Sequence, residues 1–254
     1  MPEHPLTEDL VPIIDLALTE DIGDGDITSL LIPEDRSVKG HIICRENAIL
    51  CGTPWVTAVY KTIDDSVRVE WKYEEGASVG VGDSVASITG KARAILTGER
   101  TALNFLQTLS GTATIVRTYL MALEGTKTKL LDTRKTLPGL RQAQKYAVKV
   151  AGGTNHRIGL YDAYLIKENH IKSYGSISRA IAEARKINPD KFLEIEVQDI
   201  NEFKEAASLK PDMIMLDNFK LSDMRKAVAI NPGPVKLEVS GGIDLDSLAN
   251  IART

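Results

Sequence analysis

Asp132-Thr133-Arg134-Lys135-Thr136-Leu137-Pro138-Gly139-Leu140-Arg141 is the stretch whose reading decides the fold. A strand-like run, Thr128-Lys129-Leu130-Leu131, leads into it and ends in alternating charge. Pro138-Gly139 then breaks the direction, and a helical pattern follows near 139–151. A strand that ends in two adjacent cations at the mouth of a turn is suited to hold an anion. One such stretch could be a surface accident, so the other strand ends decide.

Toward the C-terminus, further strands are predicted at 163–166, 192–197, 213–216 and 235–239, with helices near 176–187, 200–208, 222–230 and 244–253. Regular alternation of strand and helix implies βαβ units and a parallel sheet, closed as a barrel or doubly wound. The strand ends favour the barrel. The second runs into Lys167-Glu168-Asn169-His170, the fourth into Asp217-Asn218 and the fifth into Ser240-Gly241-Gly242. The third carries Glu194 and Glu196 at period two, opposite in facing to Ile195 and Val197. Polar groups gathered at the carboxyl ends of successive strands are how α/β barrels build active sites.

These groups share one chemistry. Arg134, Lys135, His156, Arg157 and Lys167 form a cation set suited to carboxylates and phosphates, and Thr133 adds a hydroxyl. Glu196 and Asp217 can hold a hard cation such as Mg²⁺ or stabilise developing positive charge. Ser240-Gly241-Gly242, ahead of a helix, lets backbone N–H groups approach a phosphate. An anionic small molecule and a phosphorylated one are implied.

The N-terminal half reads differently. Residues 9–20 have helical spacing with Pro12 in the first turn, and the acidic stretch Glu20 to Asp26 reads as a solvated loop without calcium-loop spacing. From 38 to 90, short period-two runs separated by glycine turns predict a β-rich structural domain. Glu74–Val85 is similar to a biotinyl or lipoyl carrier hairpin but has Gly80 or Gly82 where a carrier presents lysine. Residues 92–123 read as two or three helices in series, interrupted at Gly98 and at Ser110-Gly111.

Composition excludes several classes. With 254 residues, 43% apolar, the chain can bury a core without staples. A net charge of −4 argues against a nucleic-acid partner. Cys44 and Cys51 lack metal or redox spacing and read as inert thiols. No membrane span is expected, Met1-Pro2-Glu3-His4 opens no leader, and a cytoplasmic location is the default expectation.

Several longer motifs resemble quinolinate phosphoribosyltransferase: Gly25-Asp26-Ile27-Thr28, Gly98-Glu99-Arg100-Thr101-Ala102-Leu103-Asn104, the opening stretch, Gly152-Gly153-Thr154-Asn155-His156-Arg157, Leu165 to His170, and Glu194-Ile195-Glu196-Val197. The resemblance implies an N-terminal α/β sandwich (1–112) and an incomplete, TIM-like α/β barrel (113–254). It implies a homodimer, or a higher assembly, in which Arg100 reaches the partner's site. The implied reaction joins quinolinate and phosphoribosyl pyrophosphate, giving nicotinate mononucleotide, pyrophosphate and CO₂ with Mg²⁺. Arg134, His156, Arg157, Lys167 and Arg100 would take the quinolinate carboxylates. Lys135, Glu196, Asp217, Ser240, Gly241 and Gly242 would face the phosphoribosyl donor. Family members continue into a further strand and a tail, whereas this sequence stops at Ile251-Ala252-Arg253-Thr254, so missing residues are expected.

The competing readings are a phosphoribosyltransferase acting on another pyridine carboxylate, a molybdenum-transport-associated homologue, or a non-catalytic anion-binding barrel. Two carboxylates fit the number of cations better than one. His4, His41, Tyr146, Tyr161 and Tyr164 read as packing or solvent groups, and His170 and Arg141 stay open.

Overall fold

A computed structural model describes residues 10–231 and 233–254; His4 lies outside them. By packing, the chain forms two compact units. Among the described residues, one contains residues 10–120 and Leu130–Asn155; the other contains Met121–Lys129 and the described part of His156–Thr254. The expected boundary at residues 112 and 113 falls inside a helix, Ala92–Ala122.

The first unit has an antiparallel sheet of β1 (Ser37–Ile43), β5 (Ser84–Lys91) and β3 (Arg68–Trp71), in that order. A short pair, β2 (Ala48–Ile49) and β4 (Ser78–Val79), lies apart from it. Helices α1 (Val11–Ile22), α2 (Thr53–Ile63), α3 (Ala92–Ala122) and α4 (Arg141–Val150) complete the unit. Ile14, Trp55, Val56, Val59 and Leu109 lie at the heart of its core. Helix α2 was not anticipated from the period-two reading. Its N-terminus is capped by the distant Glu75 carboxylate, which accepts from Gly52 N at 2.5 Å and Thr53 N at 3.1 Å. Locally, only Pro54 in the first turn marks this start.

The interrupted region 92–123 is one continuous helix, α3. Both expected breaks have another purpose. A Cβ at Gly98 would lie 2.8 Å from Ile63 Cδ1 and 3.0 Å from the Tyr60 ring, so glycine is there for the close approach of α2. Ser110 Oγ accepts from Cys51 N and donates to Cys51 O, both at 3.0 Å. Glu20, Asp21 and Asp24 are exposed, as a solvated turn requires, while Asp26 at its end accepts from Ser29 Oγ, Ser29 N, Thr28 N and Thr97 Oγ1. These bonds, from Ser29 first, hold its carboxyl at about 2. The predicted strand 128–131 shrinks to a single parallel bridge between Leu131 and Thr154. Both cysteines are free, and burial pushes the Cys51 thiol well up.

The second unit alternates as the sequence predicts. It runs β6 (Ala163–Ile166), α5 (Glu168–Tyr174), α6 (Ile177–Ile187), β7 (Phe192–Val197) and α7 (Ile200–Ser208). It then continues through β8 (Met213–Asp217), α8 (Leu221–Ile230), β9 (Lys236–Ser240) and α9 (Leu245–Ala252). Helix α5 follows its strand with no loop and was not predicted. Ser176, Asp199 and Asp244 cap α6, α7 and α9 with their side chains, which explains where these helices begin. The strands are parallel in the order β6-β7-β8-β9, without the reversal a doubly wound sheet requires. Sequential order is the barrel pattern. Ile195, Val197, Ile214 and Leu216 face one side and pack into a core with Phe203 and Ala227. The other face carries the polar groups, with Met213 and Met215 buried among them.

Candidate active site

The register of the parallel sheet stacks that polar face in two tiers. Glu196 is paired with Met215, and Asp217 with Ser240, so these residues share the face opposite the core. Glu194, paired with Met213, lies on the same face nearer the strands' N-terminal ends, and Glu238, paired with Met215, is level with Glu196 and reaches down toward Glu194. The upper tier sits where β7 and β8 end, at the edge where barrels place their chemistry.

In the upper tier, Lys167 Nζ lies 2.8 Å from Glu196 Oε2. The lysine side chain is 49% exposed and the glutamate 11%, so the cation is reachable while the carboxylate is held. Gln198 Nε2 donates to Glu196 Oε1 at 3.4 Å and to Asp217 Oδ2 at 3.2 Å, bridging the two acids. Asn218 Nδ2 adds a bond to Asp217 Oδ2 at 3.0 Å. Asn218 itself takes a left-handed backbone, φ 54°, and donates its N–H to Ser240 O at 2.9 Å. Gly241 must be glycine: its φ is 90°, and a Cβ would lie 2.2 Å from Asn218 Oδ1. Gly242 also has positive φ, 61°. The N-terminus of α9 is already taken by Asp244, whose carboxylate accepts from Ser247 N.

In the lower tier, His156 Nε2 is 2.6 Å from Glu194 Oε2 and 3.4 Å from Glu238 Oε2. Burial works against charge on the imidazole, but the hydrogen bond to Glu194 and the nearby Glu238 carboxylate outweigh it and raise its pKa to about 9. Burial in turn pushes Glu194 above the usual carboxylate range. His156 is thus a cation whose charge is already matched by acids, which the cation set read from sequence did not foresee. These three side chains also form a group with ligand atoms within 4.8 Å of one another. A metal-ligating histidine must be deprotonated, and this environment favours the proton. Glu196 and Asp217, hard oxygen donors at neighbouring strand ends, suit Mg²⁺ better, since that ion takes few protein carboxylates and completes its shell with water and phosphate. Arg157 is buried and donates to Ala163 O at 3.3 Å. His170 is resolved: its Nδ1 accepts from Lys167 N at 2.9 Å, capping α5 below the site lysine.

The first unit carries the remaining predicted residues. Arg134 is half-buried, and its Nε is buried without a hydrogen bond among the described residues. Thr133 Oγ1 accepts from Lys135 N at 2.9 Å, tightening the turn that carries the exposed Lys135. Arg141 Nε donates to Thr136 Oγ1 at 3.3 Å, on the same turn. Arg100 is exposed on α3. Sequence reasoning missed Glu238 and Gln198, and named Asn218 only as part of a polar strand end. Glu238 was detectable, because it alternates with the apolar Leu237 and Val239; Gln198 carries no such signal.

Comparison with known proteins bears on this geometry. A family model described as quinolinate phosphoribosyl transferase, C-terminal domain, matches residues 112–254, and its N-terminal counterpart matches residues 26–110. A probable nicotinate-nucleotide pyrophosphorylase [carboxylating] of Bacillus subtilis is 39% identical over 230 residues, covering 90% of this chain and 80% of that protein. The nicotinate-nucleotide pyrophosphorylase [carboxylating] of Mycobacterium leprae is 39% identical over 245 residues, covering 94% and 86%. The solved nicotinate-nucleotide pyrophosphorylase of Francisella tularensis superposes with a TM-score of 0.94 at 44% identity, covering 99% of this chain and 91% of that one.

Proposed function

The chain belongs to the quinolinate phosphoribosyl transferase family, and from that premise we propose how its strand-end groups perform the transfer. The reaction is a pentosyl transfer in NAD biosynthesis. Quinolinate and phosphoribosyl pyrophosphate give nicotinate mononucleotide, pyrophosphate and CO₂. The observation that carries this reading is the upper tier of the parallel sheet, where Lys167, Glu196 and Asp217 meet beside the Ser240-Gly241-Gly242 turn.

Two carboxylates of quinolinate need cations if they are to leave water. Arg157 and Lys167 of the second unit supply them, and the sequence motif that carries Arg134, whose buried Nε is unspent, assigns that residue the same role. His156 adds a charged imidazole, with Glu194 and Glu238 preserving its charge. Lys135 and the glycine turn take the phosphoribosyl donor. As the pyridine nitrogen attacks the ribose carbon and pyrophosphate departs, positive charge builds on the ribose. Glu196 and Asp217, fixed by Gln198 and Asn218, stabilise that charge. The ribosylated ring nitrogen is then cationic. The bond to the adjacent carboxylate breaks, its electron pair stays on the ring carbon beside that nitrogen, and a proton replaces the lost CO₂. Positioning and electrostatics suffice, with no protein nucleophile. Glu196 and Asp217 would also hold Mg²⁺, which supplies charge neutralisation for the diphosphate.

A homodimer is part of the proposal. Arg100 is exposed, and Leu16, Leu30 and Leu31 of the same unit are exposed at 64%, 66% and 84%, apolar side chains that a second copy would remove from water. No helix among the described residues is long and apolar enough to cross a membrane, and the proposed location is the cytoplasm.

Carboxyl-labelled quinolinate tests the reaction. Labelled CO₂ is released only when phosphoribosyl pyrophosphate is present. Absence of release, or ribosylation of nicotinate in its place, overturns this reading.

A further inference from the structure

We propose that Asp132, Lys145 and Asn155 form a buried positioning network that aims Arg134 and Lys135, the two cations of the following turn. This rests on the reading above that those cations take the substrate anions. Lys145, on α4, is fully buried, which few lysines are. Its Nζ pairs with Asp132 Oδ1. The second oxygen, Asp132 Oδ2, accepts from Asn155 Nδ2 at 2.6 Å, and the same amide donates to Lys145 O at 2.8 Å. Backbone bonds run alongside, Asp132 N to Thr154 O at 3.2 Å and Thr154 N to Leu130 O at 2.8 Å. Three segments therefore converge on one carboxylate: α4, the 130–132 run and the 154–155 run.

What this convergence holds is the entry to the turn. Inside the turn the bonds are local: Lys135 N donates to Thr133 Oγ1, and Thr136 N to Arg134 O at 3.0 Å. Past the two cations, Leu137 N donates to Gln144 Oε1 at 2.8 Å and Arg141 Nε to Thr136 Oγ1 at 3.3 Å, which hold the exit of the turn and leave the direction of its entry to Asp132. Arg134 Nε makes no bond of its own among the described residues, so its aim is inherited from Asp132, two residues before it. A rotation at Asp132 would swing both cations. A buried ion pair is a poor source of stability, because desolvation offsets the attraction, and an apolar pair of like volume would hold the fold as well. What it supplies is a single geometry. Lys145 is too deeply enclosed to touch a ligand, so it acts through the turn as a positioning residue.

The test compares Lys145→Met with wild type by calorimetric titration of quinolinate, alongside circular dichroism. Lys145→Met is expected to keep its far-ultraviolet spectrum and to weaken quinolinate binding roughly 10–100-fold, with KM rising more than kcat falls. The decisive measurement is coupling to Arg134→Lys, which keeps a charge. In that background Lys145→Met should weaken binding much less, because the arginine it aims is gone. Fully additive effects, or wild-type affinity in a folded Lys145→Met, overturn the proposal. Where Lys145→Met does not fold, Asn155→Ser, which keeps the ion pair, is titrated in its place under the same criteria. Arg134→Ala separates the two readings. Unchanged affinity there removes Arg134 from the site itself, whereas lost affinity there with an unaffected Lys145→Met sinks only the network.

Discussion

His156 Nε2 lies 2.6 Å from Glu194 Oε2, in the interior face of the parallel sheet, one tier below the edge where the proposed chemistry occurs. Glu238 approaches the same nitrogen from β9 at 3.4 Å. The imidazole is therefore held charged by the protein before any anionic ligand arrives.

This relationship makes stability depend on pH with a definite sign. The folded pKa of His156 is raised to about 9 from an ordinary 6.5. Its contribution is fully present below the unfolded value and is lost as pH rises through about 9. Urea unfolding at pH 6.5 and 9.5 should show a loss on the order of 1–3 kcal/mol. In Glu194→Gln this loss should shrink and the imidazole titration, followed by proton resonance, should move down. A His156 resonance that titrates near 6.5 in the wild type removes the pairing.

Gly241→Ala introduces a Cβ 2.2 Å from Asn218 Oδ1 at a φ of 90°. Relief requires Asn218 to turn away from Asp217. The variant should lose roughly 1–3 kcal/mol of stability and bind phosphoribosyl pyrophosphate at least tenfold more weakly. Quinolinate affinity, measured separately, should change little. Equal weakening of both ligands would place the turn elsewhere in the site.

Glu75→Ala strips the cap from α2, leaving Gly52 N and Thr53 N without the carboxylate. Thermal unfolding should report a loss of about 1–2 kcal/mol, with kcat and KM unchanged. A fall in kcat without a fall in melting temperature would assign Glu75 a role the structure does not suggest.

Arg100→Ala and Arg134→Ala should each be inactive, yet mixing and re-annealing the two should restore roughly a quarter of wild-type activity, because half the dimers then carry one intact site. No recovery, with subunit exchange verified, would mean that Arg100 serves its own chain.

Much of the second unit was legible in the sequence because its signals are local. Strands β6 and β7 and helix α7 fall where periodicity places them, and capping residues such as Ser176 and Asp199 mark helix starts. The face carrying Glu194 and Glu196 follows from period two alone. Helix α2 was not legible, since its cap, Glu75, is 22 residues beyond Thr53. The continuity of α3 through Gly98 was equally hidden, because that glycine answers to Tyr60 and Ile63 on another helix.

By itself, the sequence determined the alternation of strand and helix, the polar strand ends and the sign of their charges, all consequences of neighbours along the chain. Tertiary structure alone decided which charges have a partner within the protein. Lys145 is matched by Asp132 and His156 by Glu194 and Glu238, while Arg134 keeps an unspent Nε. Whether a cation is paired within the protein depends on which carboxylate the fold brings within a few ångströms of it, and residues as distant as His156 and Glu238 meet only when the strands come together.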